Sequence, residues 1–189
     1  KRISAILDEP SIAPDEQNGP AAVFDKGMIE FRGVTFGYQP HMPVLNDVTL
    51  TVAAGSHVAV VGASGCGKTT LLYLAAGVYT PLRGNIFIDK YDINRVSSAL
   101  VREQIGFVLQ EPFLWNDTIE YNIRYGKPDA SREEVEEACS IAGVTEFITS
   151  LPFGMASVIG ESGCTLSEGQ KQKIAVARAL IRNTRIIIF

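Results

Sequence analysis

The sequence predicts an α/β fold, because it contains both strand-type and helix-type patterns. Residues 58–75 read as a strand, a glycine-rich loop and a helix: a short β-branched apolar run comes first, and an apolar helical pattern follows the glycines. Residues 28–38 and 44–52 have the apolar and polar spacing of strands. Residues 131–143 and 167–181 carry apolar side chains at helical spacing. Both kinds of element therefore belong to one mixed domain.

The glycine-rich loop has the pattern of a phosphate-binding loop. Residues 62–69 match Gly-x-x-x-x-Gly-Lys-Ser/Thr. Glycines permit positive φ angles and bring backbone N–H groups close to a polyphosphate, and the helix that begins near Lys68 adds the positive end of its dipole. The pattern predicts that Lys68 reaches the β- and γ-phosphates and that the Thr69 hydroxyl ligates Mg²⁺. The predicted nucleotide-binding residues of this segment are Gly62, Ser64, Gly65, Cys66, Gly67, Lys68, Thr69 and Thr70.

The alternative is a glycine-rich turn between a strand and a helix that binds nothing. A phosphate loop requires a strand before the glycines and a helix after them. The apolar run at residues 58–61 and the leucines that follow Thr70 meet both requirements. The context therefore favours the phosphate site.

Composition limits the functions that are open to the chain. Its 189 residues are enough for one domain with a hydrophobic core, and its net charge of −4 gives no sign of nucleic-acid binding. No apolar run approaches the roughly 18 residues of a membrane span, and the charged start is unlike a secretory signal. Three cysteines without metal-ligand spacing indicate reduced thiols in a cytosolic setting.

The first 25 residues have the composition of a linker. Residues 3–8 resemble the end of a helix, and prolines, glycine and scattered acids follow up to residue 25. We therefore expect residues 1–25 to be a linker and the domain to begin near Lys26. Because the chain does not start with Met and stops inside the apolar run at residues 186–189, we also expect it to be a segment of a longer protein.

Two polar side chains follow predicted strands and are candidates for the site. Tyr38 ends the first strand, where an exposed aromatic ring can stack on a purine. It can equally be a core tyrosine of a strand that already carries two phenylalanines. Gln110 follows a predicted buried strand at residues 105–109, and ligands of open α/β sheets bind at such carboxyl ends. Gln110 can contact Mg²⁺ or the attacking water, or it can be an ordinary loop residue before Pro112.

The remaining elements are predicted from local patterns. A strand is expected at residues 85–89 and a short helix, capped by Ser97, at residues 97–102. From residue 111 to about residue 163 the chain changes to helices and loops. Residues 131–134 have capping-box spacing, Gly143 has the position of a helix stop, and a shorter helix is expected at residues 145–150.

A second capping box begins the last predicted helix. Ser167 and Gln170 have the required spacing, and Gly169 in the first turn leaves backbone N–H groups approachable. The start of this helix is therefore a second possible anion site. By itself this is weak evidence, since many helices begin with such a box.

In combination, these segments resemble the ATP-binding cassette family of transport ATPases. Leu-Ser-Glu-Gly-Gln at residues 166–170 is similar to the family signature, usually Leu-Ser-Gly-Gly-Gln, and residues 171–180 are similar to the helix that follows it. Tyr38 matches the adenine-stacking aromatic and Gln110 matches the glutamine loop. Residues 110–119 and 151–163 resemble the exporter branch, and residues 2–10 resemble the linker that leaves its last membrane helix.

The resemblance implies a fold and an activity. The fold would be a P-loop NTPase with a three-layer α/β core, an N-terminal antiparallel β subdomain and an α-helical subdomain at about residues 111–165. The activity would be Mg²⁺-dependent ATP hydrolysis that powers export, with Lys68 and Gln110 catalytic and with Thr69 and Gln110 as metal ligands. Ser167, Gly169 and Gln170 would contact the ATP held by a second nucleotide-binding domain, identical or different, in a head-to-tail dimer.

The implied partner within the same protein is a transmembrane domain. The nucleotide-binding domain, residues 26–189, would then lie at the cytoplasmic face of the cell membrane, with Glu161 near the surface that meets the membrane part. Nucleic acid is not an expected partner.

Two departures from the family pattern affect these expectations. Glu168 replaces the usual glycine of the signature, which adds a negative charge near the γ-phosphate site but suits a helix start. The family pattern also continues, after the strand at residues 186–189, with an Asp that binds Mg²⁺, a catalytic Glu and a later His, none of which this sequence contains. We therefore expect this chain alone to be inactive as an ATPase.

Three alternatives stay open at this point. The first is a cassette ATPase that is not linked to transport and acts in DNA repair or translation. The second is a regulatory cassette that binds ATP without hydrolysing it. The third, a small-molecule kinase, leaves the signature at residues 166–170 without a role.

Overall fold

The computed structural model describes residues 22, 24–160 and 163–189. Most of the predicted linker, including the helix end at residues 3–8, lies outside the described residues, and so does Glu161. The chain divides into two compact units, Lys1–Gln104 and Ile105–Phe189.

An antiparallel sheet forms the core of the first unit. Its strands are β1 (Ile29–Phe36), β2 (Leu45–Val52), β3 (Arg83–Ile88) and β4 (Tyr91–Asp92), in the order β2-β1-β3-β4. In β1, buried and partly exposed residues alternate at Ile29–Phe31 and again at Val34–Phe36, with a register irregularity between Phe31 and Val34. Ile86 and Ile88 of the neighbouring β3 are completely buried. The strands predicted at residues 28–38, 44–52 and 85–89 are confirmed, with boundaries shifted by one or two residues.

Two α-helices and one 3₁₀ turn complete the described part of this unit. Helix α1 (Lys68–Ala75) follows the glycine-rich loop, a 3₁₀ turn spans Ile93–Arg95, and helix α2 is Ser98–Glu103. Ser97 occupies the N-cap position of α2 as predicted, but its side chain makes no capping hydrogen bond.

The prediction of a strand at residues 58–61 is wrong. These residues belong to neither sheet, and they are exposed, with Val61 at 86% and Val58 at 60%. The local pattern was correct for a strand, but a strand also needs a neighbour that accepts and donates its ladder hydrogen bonds. A neighbour is a property of the tertiary structure, which a four-residue apolar run does not specify.

The second unit combines a short parallel sheet with helices. Strands β5 (Ile105–Phe107) and β6 (Ile186–Ile188) pair in parallel. The helices are α3 (Ile119–Arg124), α4 (Arg132–Ile141), α5 (Thr145–Ile148) and α6 (Glu168–Leu180), with a 3₁₀ turn at Gly154–Ala156. The strand predicted at residues 105–109 is shorter than expected, because it ends at Phe107 and Leu109 is 46% exposed.

The helix patterns of this unit are confirmed in detail. Ser131 and Glu134 form a complete capping box at the start of α4, and Gly143 follows its end with a φ of 67°. Helix α6 also begins with a complete capping box. The apolar faces of these helices bury one cluster, to which Ile119, Ile123, Val144, Ile174 and Ala177 contribute fully buried side chains.

None of the helices formed by the described residues is long and apolar enough to cross a membrane.

Candidate functional site

The glycine-rich loop has a backbone that only glycine accommodates at two positions. Gly65 and Gly67 have φ angles of 79° and 94°, and Gly67 is the N-cap of α1. A Cβ atom at Gly67 would lie 2.9 Å from Leu45 Cδ2, whereas a Cβ at Gly65 would meet nothing within 4 Å. Gly67 is therefore fixed by packing and by conformation, while Gly65 leaves an open approach to the loop backbone.

The Lys68 side chain folds back onto the start of the loop. The Lys68 ammonium donates hydrogen bonds to the carbonyl oxygens of Gly62 and Ala63, at 2.9 and 2.7 Å. Cys66 Sγ lies 3.9 Å from the same ammonium. Ser64 and Thr69 are exposed. The first backbone N–H groups of α1 have no partner within the helix, so the loop ends on a set of donors beside a positive charge.

Tyr38 is packed against neighbouring rings and is also partly exposed. The residue is 58% exposed, yet its ring packs edge-on against Phe36 and Tyr79, with centroids 5.3 and 5.6 Å away. Its hydroxyl lies 3.0 Å from Oγ1 of the buried Thr70. Tyr38 is therefore anchored to the first turn of α1 at its hydroxyl and keeps part of its ring in solvent.

In the second unit, Gln110 is exposed and follows β5. Its backbone oxygen accepts a hydrogen bond from Gln172 Nε2 of helix α6 at 3.2 Å. The loop that contains Gln110 is thus attached to the helix that carries the signature.

The signature lies at the start of α6. Gln170 N donates to Ser167 Oγ at 3.3 Å, and Ser167 N donates to Gln170 Oε1 at 2.9 Å, so each side chain satisfies the backbone of the other. A Cβ at Gly169 would meet nothing within 4 Å. The Glu168 carboxylate pairs with the Lys171 ammonium at 2.7 Å, which offsets the charge that Glu168 brings to this helix end.

The cysteines and carboxylates give no sign of a metal centre of their own. All three cysteines are free, and burial, with the nearby carboxylates of Glu120 and Glu136, raises the pKa of the Cys139 thiol to about 11. Among the described residues no group of three or more His, Cys, Asp or Glu side chains could hold a metal ion. Mg²⁺ in nucleotide sites usually takes one or two protein oxygens together with phosphate oxygens, so such a site needs no cluster of carboxylates.

Sequence reasoning missed two side-chain contacts: the Tyr38–Thr70 hydrogen bond and the hydrogen bond between Arg178 and Asn122. No spacing rule connects partners that lie 32 and 56 positions apart. The only signal was a polar residue, Asn122, inside an otherwise apolar helix face.

Known proteins resemble the chain over nearly its whole length. The family model described as ABC transporter matches residues 45–189. A mitochondrial iron-sulfur clusters transporter, ATM1, of Chaetomium globosum is 46% identical over 176 residues, which are 93% of this chain and 29% of that protein. An ATM1-type heavy metal exporter of Novosphingobium aromaticivorans is 42% identical over 184 residues, 97% of this chain and 30% of that protein.

A solved structure agrees with these relatives. The structure of a bacterial Atm1-family ABC exporter with ATP bound matches with a TM-score of 0.90 and 41% identity, over 98% of this chain and 32% of that one. The predicted α/β nucleotide-binding fold is thereby confirmed. The chain spans less than a third of the length of these relatives. Because the family model covers most of the sequence, the chain belongs to the ABC transporter family.

Proposed function

We propose that this chain is the nucleotide-binding part of an exporter, which binds and hydrolyses ATP to move a substrate across a membrane. The observation that carries the proposal is the phosphate loop, residues 62–69. Two of its glycines, Gly65 and Gly67, have positive φ angles, and the hydroxyl-bearing residues Ser64 and Thr69 are exposed. ATP binding and hydrolysis are what the family does, and the relatives named above are transporters.

Most of the residues that would bind the nucleotide belong to the first unit. The loop amides and the start of α1 would hold the phosphates, and Lys68 would neutralise charge on the β- and γ-phosphates. The exposed part of the Tyr38 ring would stack on the adenine. Thr69 and Gln110 would hold Mg²⁺, which when bound withdraws charge from the phosphate oxygens. Gln110 would also orient the attacking water.

The residues at the start of α6 would serve a nucleotide held by a second domain. Ser167 Oγ keeps its proton available, because in the capping box it accepts a hydrogen bond and does not donate one. With the amide of Gly169 and the side chain of Gln170, it would contact a γ-phosphate across a head-to-tail dimer. The partner domain can be identical or different. Such a dimer would give a role to both of the predicted anion-binding segments of one chain.

A transmembrane domain is the second proposed partner. The loop and helix after Gln110 expose an aromatic surface, with Phe113 at 63%, Tyr125 at 54% and Trp115 at 40%. Phe113 and Tyr125 border a cavity of about 450 Å³. Exposed aromatic patches are typical of protein interfaces. We propose that residues 26–189 form the domain, with a helical part at about residues 111–165, that residues 1–25 link it to the membrane part, and that it lies at the cytoplasmic face.

The variant Lys68→Ala tests the proposal in the complete gene product. Removing the ammonium leaves the developing charge on the phosphates without its main protein cation, so Mg²⁺-dependent ATP turnover should fall by about a hundredfold or more. Phosphate release at saturating ATP measures it. Lys127→Ala, which removes a surface lysine paired with Glu134, is the matched control and should retain full activity.

Undiminished turnover in Lys68→Ala would refute the role of the phosphate loop. A wild-type protein that binds ATP and does not hydrolyse it would instead support a regulatory cassette.

A further inference from the structure

Asn122 is a completely buried polar residue in the second unit, and all its side-chain atoms have partners. Its exposed fraction is 0%. Its Nδ2 donates to the carbonyl oxygens of Trp115 and Thr118, both at 3.0 Å. Its Oδ1 accepts from Trp115 N at 2.8 Å. Asn122 of helix α3 therefore holds the backbone of the preceding loop from both sides.

Arg178 of helix α6 joins the same loop. Its NH2 group donates to Asn122 Oδ1 at 3.0 Å, its Nε to the Asn122 carbonyl at 2.8 Å, and its NH1 to the Phe113 carbonyl at 2.8 Å. The planar guanidinium thus uses three donors at once, which a lysine ammonium in its place would not match in geometry. Its plane also lies over the Tyr125 ring, 5.9 Å from the centroid.

Gln172, one and a half turns before Arg178, makes the third attachment through its bond to the Gln110 carbonyl. The carbonyls of Gln110 and Phe113 are thus bound to α6 directly, and that of Trp115 is bound through Asn122. These residues lie in no helix or strand, so side chains supply the hydrogen bonds that regular structure would otherwise provide.

We propose that Gln172, Arg178 and Asn122 form a clamp that positions the Gln110 loop on helix α6, so that Gln110 and the serine-capped start of this helix move as one body. The expected effect of the clamp on ATP turnover rests on the proposed function. The existence of the clamp does not. A buried polar side chain such as Asn122 costs free energy unless its atoms are hydrogen-bonded, and when they are it favours a single arrangement of its partners. A loop fixed in this way presents Gln110 in a constant position relative to Ser167.

The test uses two clamp variants and one control in the complete gene product. Arg178→Lys keeps the charge and loses the three-donor geometry. Gln172→Met changes an exposed side chain, which leaves folding intact and removes only the bond to Gln110. Arg132→Lys is the control. It is the same substitution at an arginine of α4 whose side chain is 84% exposed and pairs with Glu136.

Amide hydrogen exchange is the first measurement. Residues 110–118 should exchange at least tenfold faster in both clamp variants than in the wild type, while the amides of α4 and the Arg132→Lys control stay unchanged. Unchanged exchange at residues 110–118 overturns the clamp, whatever the activity of the protein. If Arg178→Lys does not fold, Gln172→Met decides by the same criterion.

Steady-state kinetics are the second measurement. The kcat for ATP should fall at least fivefold in both clamp variants, while the Kd for a fluorescent ATP analogue changes less than twofold, because the phosphate loop is untouched. Faster exchange with wild-type kcat overturns the positioning role. A wild-type protein without any ATPase activity defeats the proposed function, and hydrogen exchange still decides whether the clamp exists.

Discussion

Tyr38 shows how one side chain serves the fold and the proposed site at the same time. Its hydroxyl is hydrogen-bonded to Oγ1 of Thr70, a residue that is only 5% exposed, whereas Tyr38 as a whole is 58% exposed. The two functions use different atoms, so substitutions can separate them. The sequence placed Tyr38 at a strand end, but the contact with Thr70 comes from the packing of α1 beside the strand.

Tyr38→Phe should change stability and Tyr38→Ala should change nucleotide affinity. Phe keeps the ring and leaves the Thr70 hydroxyl without its partner, so the free energy of unfolding should fall by about 1 kcal/mol at unchanged affinity. Ala removes the ring and should weaken ATP binding by about 1–3 kcal/mol. Urea unfolding and titration with a fluorescent ATP analogue measure the two effects. Tyr121→Ala, at another exposed tyrosine, is the control, and equal affinity loss in both Ala variants would rule out stacking.

Asp89 is a second residue whose side chain contacts a distant segment of the chain, residues 25–28. It occupies the turn between β3 and β4 with a φ of 54°. Its carboxylate accepts hydrogen bonds from the backbone N–H groups of Asp25, Lys26 and Met28, at 2.8, 3.1 and 3.0 Å. Partial burial raises the pKa of this carboxyl, but the backbone donors together outweigh it and hold the pKa below its usual range.

Asp89 should therefore make stability depend on pH. Because the pKa is lower in the folded state, the stabilisation is fully present above the unfolded pKa of about 4 and is lost as the pH falls through the folded value. Asp89→Asn should be less stable than the wild type at pH 7, and the difference should shrink below about pH 4. Urea midpoints between pH 7 and pH 3 measure it, with the exposed Asp129→Asn as control. A difference that stays constant over this range would contradict the prediction.

At the scale of the elements, two helices of the second unit begin with the same device. Ser131 with Glu134 caps α4, and Ser167 with Gln170 caps α6. Both boxes were predictable, because a capping box is a pattern of four consecutive residues. The proposed function gives only the second one a further role, at a γ-phosphate.

Ser131→Ala and Ser167→Ala should therefore cost similar stability and differ in turnover. Each loses one capping hydrogen bond, worth about 1 kcal/mol. Only Ser167→Ala should also reduce kcat, by about tenfold or more, since a hydrogen bond to a charged phosphate contributes about 1.5–3 kcal/mol. Thermal melting and phosphate release in the complete gene product test both statements. Equal kcat values in the two variants would leave Ser167 with no role beyond its cap.

The elements also show what limits prediction from sequence. The strands β1 and β2 and the two capped helices follow from local patterns, and all were predicted. The prediction of a strand at residues 58–61 was wrong because strand pairing depends on residues that are distant in sequence. The clamp formed by Asn122 and Arg178 was not foreseen because its partners are far apart in sequence. For the same reason, motifs could indicate the proposed site residues but not the residues that contact them and hold them in place.

At the scale of the whole molecule, the phosphate loop has unequal support on its two sides. Helix α1 follows it directly, and Gly67 packs against Leu45. Before it, residues 58–61 lie outside both sheets and are exposed. Preorganised donors contribute to binding and catalysis because they do not have to be ordered when the ligand arrives. A loop fixed on one side only gives up part of this advantage.

The 189-residue chain by itself should therefore bind ATP weakly and should not hydrolyse it. The complete gene product should bind ATP and hydrolyse it. Phosphate release by the purified chain should equal that of its Lys68→Ala variant, and circular dichroism with a cooperative thermal transition would establish that both are folded. Turnover by the folded chain above this background would show that a loop with support on one side is sufficient for hydrolysis, which would contradict the prediction.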